Sequence, residues 1–153
     1  IFPLSSWLSA DTGKSVDKAI GGIHMTGYSV PCGVHATDND HFKLAELRVS
    51  DAYIPQFITG LRALLTGDIE VLRLCDAKQM AVIRGSGGTT FTLLFENGSS
   101  AYLCEENLYE MEGFALARMF ENKKPGTCLT LQLNGEDDLQ LSLGLWVGDK
   151  KYN

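Results

Sequence analysis

The run Leu129-Thr130-Leu131-Gln132-Leu133 is followed, after Asn134-Gly135-Glu136-Asp137-Asp138, by Leu139-Gln140-Leu141-Ser142-Leu143-Gly144-Leu145. Leucine recurs at every second position on both sides of a short polar link. That period of two is the signature of β-strands with one apolar face, because successive side chains point to opposite sides of a sheet. The spacing predicts an antiparallel hairpin whose leucine face must pack against something. A sheet with one such face needs a second layer.

Upstream, two segments supply it. Pro55 suits the start of a helix, where its missing N–H costs nothing. Phe57, Ile58, Leu61, Leu64 and Leu65 then repeat at helical spacing, and Gly67 suits the C′ position beyond the end. A second helix is predicted within Glu106–Glu121, with Leu108, Met111, Ala115 and Met119 on one stripe and Phe114 beside it. Gly113 weakens it by about 1 kcal/mol relative to Ala, so its start is expected as late as Glu110. Lys123-Lys124-Pro125-Gly126 ends it, the lysines complementing the helix C-terminus.

Between the helices, strands are expected at 69–75, 80–84, 89–95 and 99–104, as an antiparallel meander. Gly85-Ser86-Gly87-Gly88 reads as a turn, and Asn97-Gly98 as a hairpin because both residues tolerate positive φ. A strand is expected over 41–49. Nearer the N-terminus, Ser15–Ile20 reads as a short helix stopped by Gly21-Gly22, and Ile23–Val34 as a strand interrupted at Pro31 and Gly33. The expected architecture is α+β: an antiparallel β-sheet with two main helices packed on one face, one domain over residues 1–153, with residues 1–40 more irregular.

Composition narrows the function classes. The chain of 153 residues has 44% apolar and 21% charged residues, as a folded domain does. Its net charge of −6 argues against nucleic acid, whose binding requires Lys and Arg to displace counterions, and against an anionic membrane surface; it is compatible with a basic protein partner, and equally with a charge that only keeps the protein soluble. No apolar run approaches the roughly 18 residues that cross a bilayer. The opening Ile1-Phe2-Pro3-Leu4 lacks a basic region and is not read as a signal peptide. Cys32, Cys75, Cys104 and Cys128 form no CxxC pair, so zinc-ribbon and thioredoxin chemistry are not expected. Buried thiols in a reducing cytoplasm are, although the even count leaves two disulfides open.

Several short motifs invite a catalytic reading. Asp11-Thr12-Gly13 resembles the triplet of aspartic proteases, in which paired carboxylates share a proton. One copy would require a homodimer, and the flanking residues and the helix at 55–66 do not suit that family; a turn is the expectation. Gly13-Lys14-Ser15 matches only the end of a phosphate-binding loop, since Leu8 stands where its first glycine belongs. Ser15-Val16-Asp17-Lys18 fits SxxK without its companion motifs. Cys32, His35, Asp38, Asp40 and His41 form the densest group of metal-ligating side chains, in a spacing that matches no zinc family. Neither a metal nor another cofactor is expected, and an enzyme or ligand-binding domain built on Cys32–His41 is the alternative.

Two acidic clusters remain, Glu105, Glu106, Glu110 and Glu112, and Glu136, Asp137 and Asp138. Each is either a solvated face or a docking surface for a basic protein. No nucleophile, base and orienting group assemble from the sequence. In size, acidity and motif-free α+β character the chain resembles small bacterial immunity proteins. That resemblance implies a non-enzymatic protein that neutralises a cognate toxin by occluding its active site, with the acidic clusters as the partner-binding residues.

Overall fold

The computed structural model describes residues 15–20, 23–38, 42–75, 79–85, 88–121 and 128–148. Ten strands and two helices follow in the order β1 (Ser15–Ile20), β2 (Ile23–Pro31), β3 (Gly33–Asp38), β4 (Phe42–Val49), α1 (Ile54–Thr66), β5 (Val71–Cys75), β6 (Gln79–Arg84), β7 (Thr90–Phe95), β8 (Ser100–Cys104), α2 (Glu105–Glu121), β9 (Cys128–Asn134) and β10 (Gln140–Val147). The fold is α+β, as the periodicities require.

The leucine hairpin forms in the expected register, with Leu141 opposite Leu133, Leu143 opposite Leu131 and Leu145 opposite Leu129. Leu131, Leu133, Leu141, Leu143 and Leu145 are buried. Strand β10 is interior to its sheet: on its other side it pairs in parallel with β4, Leu143 against Ala45 and Leu145 against Leu47.

The single expected sheet is two. One has six strands in the order β1-β2-β5-β6-β7-β8, the other four in the order β3-β4-β10-β9. Two contacts, β2 with β5 and β4 with β10, are parallel. Both link strands separated by α1, and a parallel neighbour needs such a crossover, whereas short loops give antiparallel ones. The chain passes from the first sheet to the second at Cys32, between β2 and β3. On the opposite side an Ala101–Gly135 bridge joins them. Gly135 has no side chain because a Cβ would run into the Ser100 carbonyl.

Ser15–Ile20 is a strand, not the expected short helix. It pairs along its whole length with β2, from Ile20 opposite Ile23 to Ser15 opposite Tyr28. The expected helix stop at Gly21-Gly22 lies outside the described residues. The strand expected over Ile23–Val34, interrupted at Pro31 and Gly33, is β2 together with the start of β3, so this part of the chain is more regular than expected.

Both helices lie on one continuous core. Ile54, Phe57, Ile58, Leu61 and Leu64 of α1 and Leu108, Met111 and Ala115 of α2 are buried with the inward rows of both sheets. Helix α1 approaches the six-stranded sheet closely at Gly60, where an added Cβ would lie 2.5 Å from Leu72 Cδ1. It ends at Gly67 in the left-handed conformation (φ 85°). Arg84 of β6 closes its last turn: the guanidinium donates to the carbonyls of Leu64 and Leu65, the latter at 2.8 Å, and to that of Gly88, and lies 5.3 Å from the Phe91 ring centroid. Helix α2 runs unbroken through Gly113, and its first turn forms despite that glycine because Cys104 and Asn107 cap it. Among the described residues no helix is long and apolar enough to cross a membrane.

Candidate interaction surface

Helix α2 decides which acids of the first cluster are available. It starts where β8 ends. The Asn107 side chain accepts from the Cys104 backbone N–H at 2.9 Å and lies 3.2 Å from the Cys104 thiol, closing the first turn. Glu105 and Glu106 occupy that turn, where negative charge complements the helix dipole. Part of this acidity is therefore structural. Glu112 is spoken for as well: its carboxylate accepts from the Arg62 guanidinium of α1, and its side chain is only 14% exposed. Glu105 is half-buried. Glu106 and Glu110 remain exposed with no basic partner among the described residues.

These two acids share their side of α2 with two aromatic rings. Tyr109 is 56% exposed and Phe120 is 76% exposed. At about 100° per residue, Glu106, Tyr109, Gly113, Ala117 and Phe120 fall within an arc of roughly 80°, and Glu110 sits at its edge. Leu108, Met111 and Ala115 hold the opposite, buried side. So does Arg118, which pairs with Asp51 at 3.2 Å rather than neutralising the glutamates. Met119, placed on the buried stripe by its spacing, is 39% exposed, because the buried side narrows toward the end of the helix.

The second cluster lies in a 3-10 turn at Glu136–Asp138 between β9 and β10. All three acids are exposed, and Asp137 and Asp138 are held in the left-handed region (φ 56° and 59°). Asp tolerates that region better than most residues, which gives these acids a conformational role. The Ala101–Gly135 bridge places the turn beside the start of β8, and Glu105, the first residue after that strand, is four positions from Ala101, about 13 Å away. The two clusters are therefore separate patches at the two ends of one short strand.

The Cys32–His41 alternative loses its shape where it is described. Cys32 is buried at the junction of β2 and β3, while His35 is exposed on β3 opposite Glu46, whose carboxylate is held by Arg48 at 2.6 Å. Asp40, His41 and Asp11 lie outside the described residues. Among the described residues no group of three or more His, Cys, Asp or Glu is placed to hold a metal ion. Cys128, on the outer side of β9, has its thiol pushed up by burial, with Glu46 nearby adding to the effect.

Sequence reasoning missed the aromatic half of the α2 surface. The signal was present as the complement of the buried stripe: once Leu108, Met111 and Ala115 are assigned inward, Tyr109 and Phe120 must point out. No family model matches the chain, and no curated protein or solved structure matches it either.

Proposed function

We propose that this chain is a non-enzymatic protein-binding domain that presents the outward stripe of α2 to a basic partner protein. The observation that carries the reading is the placement of two largely exposed aromatic side chains, Tyr109 and Phe120, on the same side of one helix as two exposed glutamates, Glu106 and Glu110, that have no basic partner among the described residues. Aromatic anchors supply most of the energy of a protein interface, and surrounding charge selects and steers the partner. A single exposed ring is ordinary on a solvated face, but two on one helix stripe form a patch of the kind that marks an interaction site. Occlusion of a toxin's basic active site, as in immunity proteins, is the form of binding we favour, since such a site offers the complementary charge. The Glu136–Asp138 turn would be a secondary patch. Cys32, Cys104 and Cys128 are thiols rather than disulfides, which agrees with a reducing compartment such as the cytoplasm.

The test is capture from the native cell with the wild-type chain and with a Tyr109→Ala/Phe120→Ala variant. Both residues are exposed, so the variant keeps its core. A single stoichiometric basic protein, retained by the wild type and lost by the variant, supports the reading. Equal retention by both, or substrate turnover by the purified chain, contradicts it.

A further inference from the structure

Two helices each carry a central glycine, and the fold explains only one of them. Gly60 lets α1 come close to the sheet: an added Cβ would meet Leu72 Cδ1 at 2.5 Å and Tyr28 at 3.2 Å. Gly113 is exposed in the middle of α2, and a Cβ there would meet nothing within 4 Å. It is not in the positive-φ region that glycine alone adopts comfortably. A mid-helix glycine weakens a helix relative to alanine. Nothing in this chain's own described packing requires it.

The surroundings of Gly113 supply a reason. Ala117 lies one turn further on, so the centre of the stripe is bare backbone with small side chains, bounded by Tyr109 and Phe120. Those two rings are eleven residues apart, about 16 Å along the axis and nearly in line. A second helix with its side chains is about 10–12 Å across, which fits between them. Small residues at a crossing allow two helix backbones to approach closely, and rows four residues apart set one of the common crossing geometries. An extended peptide would gain little here. It docks by backbone hydrogen bonds to a strand edge, and the middle of a helix has no free backbone groups to offer.

We infer that the partner docks as a helix laid across α2 at Gly113, seated between Tyr109 and Phe120 and bringing Lys or Arg to Glu106 and Glu110. This rests on the proposed protein-binding function and specifies the partner's shape. Charge complementarity sets the sign: two exposed carboxylates with no basic partner among the described residues favour a partner that brings Lys or Arg.

The probe is a synthetic amphipathic helical peptide with an Ala/Leu stripe flanked by lysines, and its counterpart with glutamates in their place. Binding is measured by fluorescence anisotropy and mapped by amide chemical shifts. The lysine peptide should bind and the glutamate peptide should not, with the largest shifts around Gly113. Gly113→Leu favours the helix but fills the seat, and should weaken the lysine peptide about tenfold, the scale of overpacking a contact. Glu106→Lys/Glu110→Lys should weaken it too. If charge reversal weakens binding but Gly113→Leu does not, the helical seat is wrong while a basic partner stands. If the lysine peptide fails to bind at millimolar concentration, or its shifts map away from α2, the seat is also overturned.

Discussion

Substituting alanine for each helical glycine should change stability with opposite signs, and the structure sets both magnitudes. Gly113→Ala adds a methyl group to open space, so only the helix preference changes, and the protein should gain about 1 kcal/mol. Gly60→Ala gains the same preference but drives a methyl into Leu72, a fully buried side chain. Overpacking costs about 1–3 kcal/mol, leaving a net loss of up to about 2 kcal/mol. For a chain of this size 1 kcal/mol moves the melting temperature by roughly 2–4 °C. Differential scanning calorimetry should show Gly113→Ala melting a few degrees above the wild type and Gly60→Ala at or below it. Urea titration should give unchanged m-values for both. A clear loss of stability in Gly113→Ala would mean that part of this chain already packs against Gly113. That would refute the claim that the position is kept open for something outside the molecule.

Three further outcomes follow from the core and the thiols. Leu141→Ala, and to a similar degree Leu131→Ala, should cost about 2–5 kcal/mol in chemical denaturation, since both leucines are buried in the paired hairpin; unchanged midpoints would dismantle the hairpin. Arg84→Ala should cost about 2–4 kcal/mol, because it leaves the last carbonyls of α1 without a charged donor and removes the contact with Phe91; Arg84→Lys, which keeps the charge but not the planar fork, should fall between them. A thiol reagent at neutral pH should label exposed Cys104 ahead of Cys128, whose raised pKa depletes the thiolate, and ahead of buried Cys32. In a Cys75→Ser background, Cys104→Ser should abolish the fast labelling phase, and its survival would show that Cys104 is covered.

Much of the fold was legible because it rests on periodicity. The leucine alternation at 129–145, the α1 stripe and the Asn97-Gly98 turn each have one good local solution, and each formed. Ser15–Ile20 did not read correctly because Val16, Ala19 and Ile20 suit either period over six residues, and pairing with β2 decides between them. The split into two sheets was not legible at all, since it depends on β2 and β4 acquiring parallel partners distant in sequence. Glu110 and Glu112 were read as helical, but the helix was expected to start as late as Glu110 because of Gly113, whereas it begins at Glu105. Sequence could not tell that Glu112 belongs to Arg62, 50 residues away, or that Glu105 and Glu106 serve the helix start. The exposed aromatics went unread because an aromatic in an amphipathic helix is ordinarily taken for core.

The claim that α2 meets a basic partner is tested most directly by association kinetics. The captured partner is mixed with the wild type, with Glu106→Lys/Glu110→Lys and with Asp137→Lys/Asp138→Lys at low and high salt. Steering charges act mainly on the association rate and are screened over a Debye length of about 10 Å at 0.1 M salt. The α2 variant should associate several-fold more slowly at low salt and lose most of its salt dependence, while the turn variant changes less. Rates and salt slopes that are the same for all three proteins would show that both acidic patches are solvated surface and that the partner binds elsewhere.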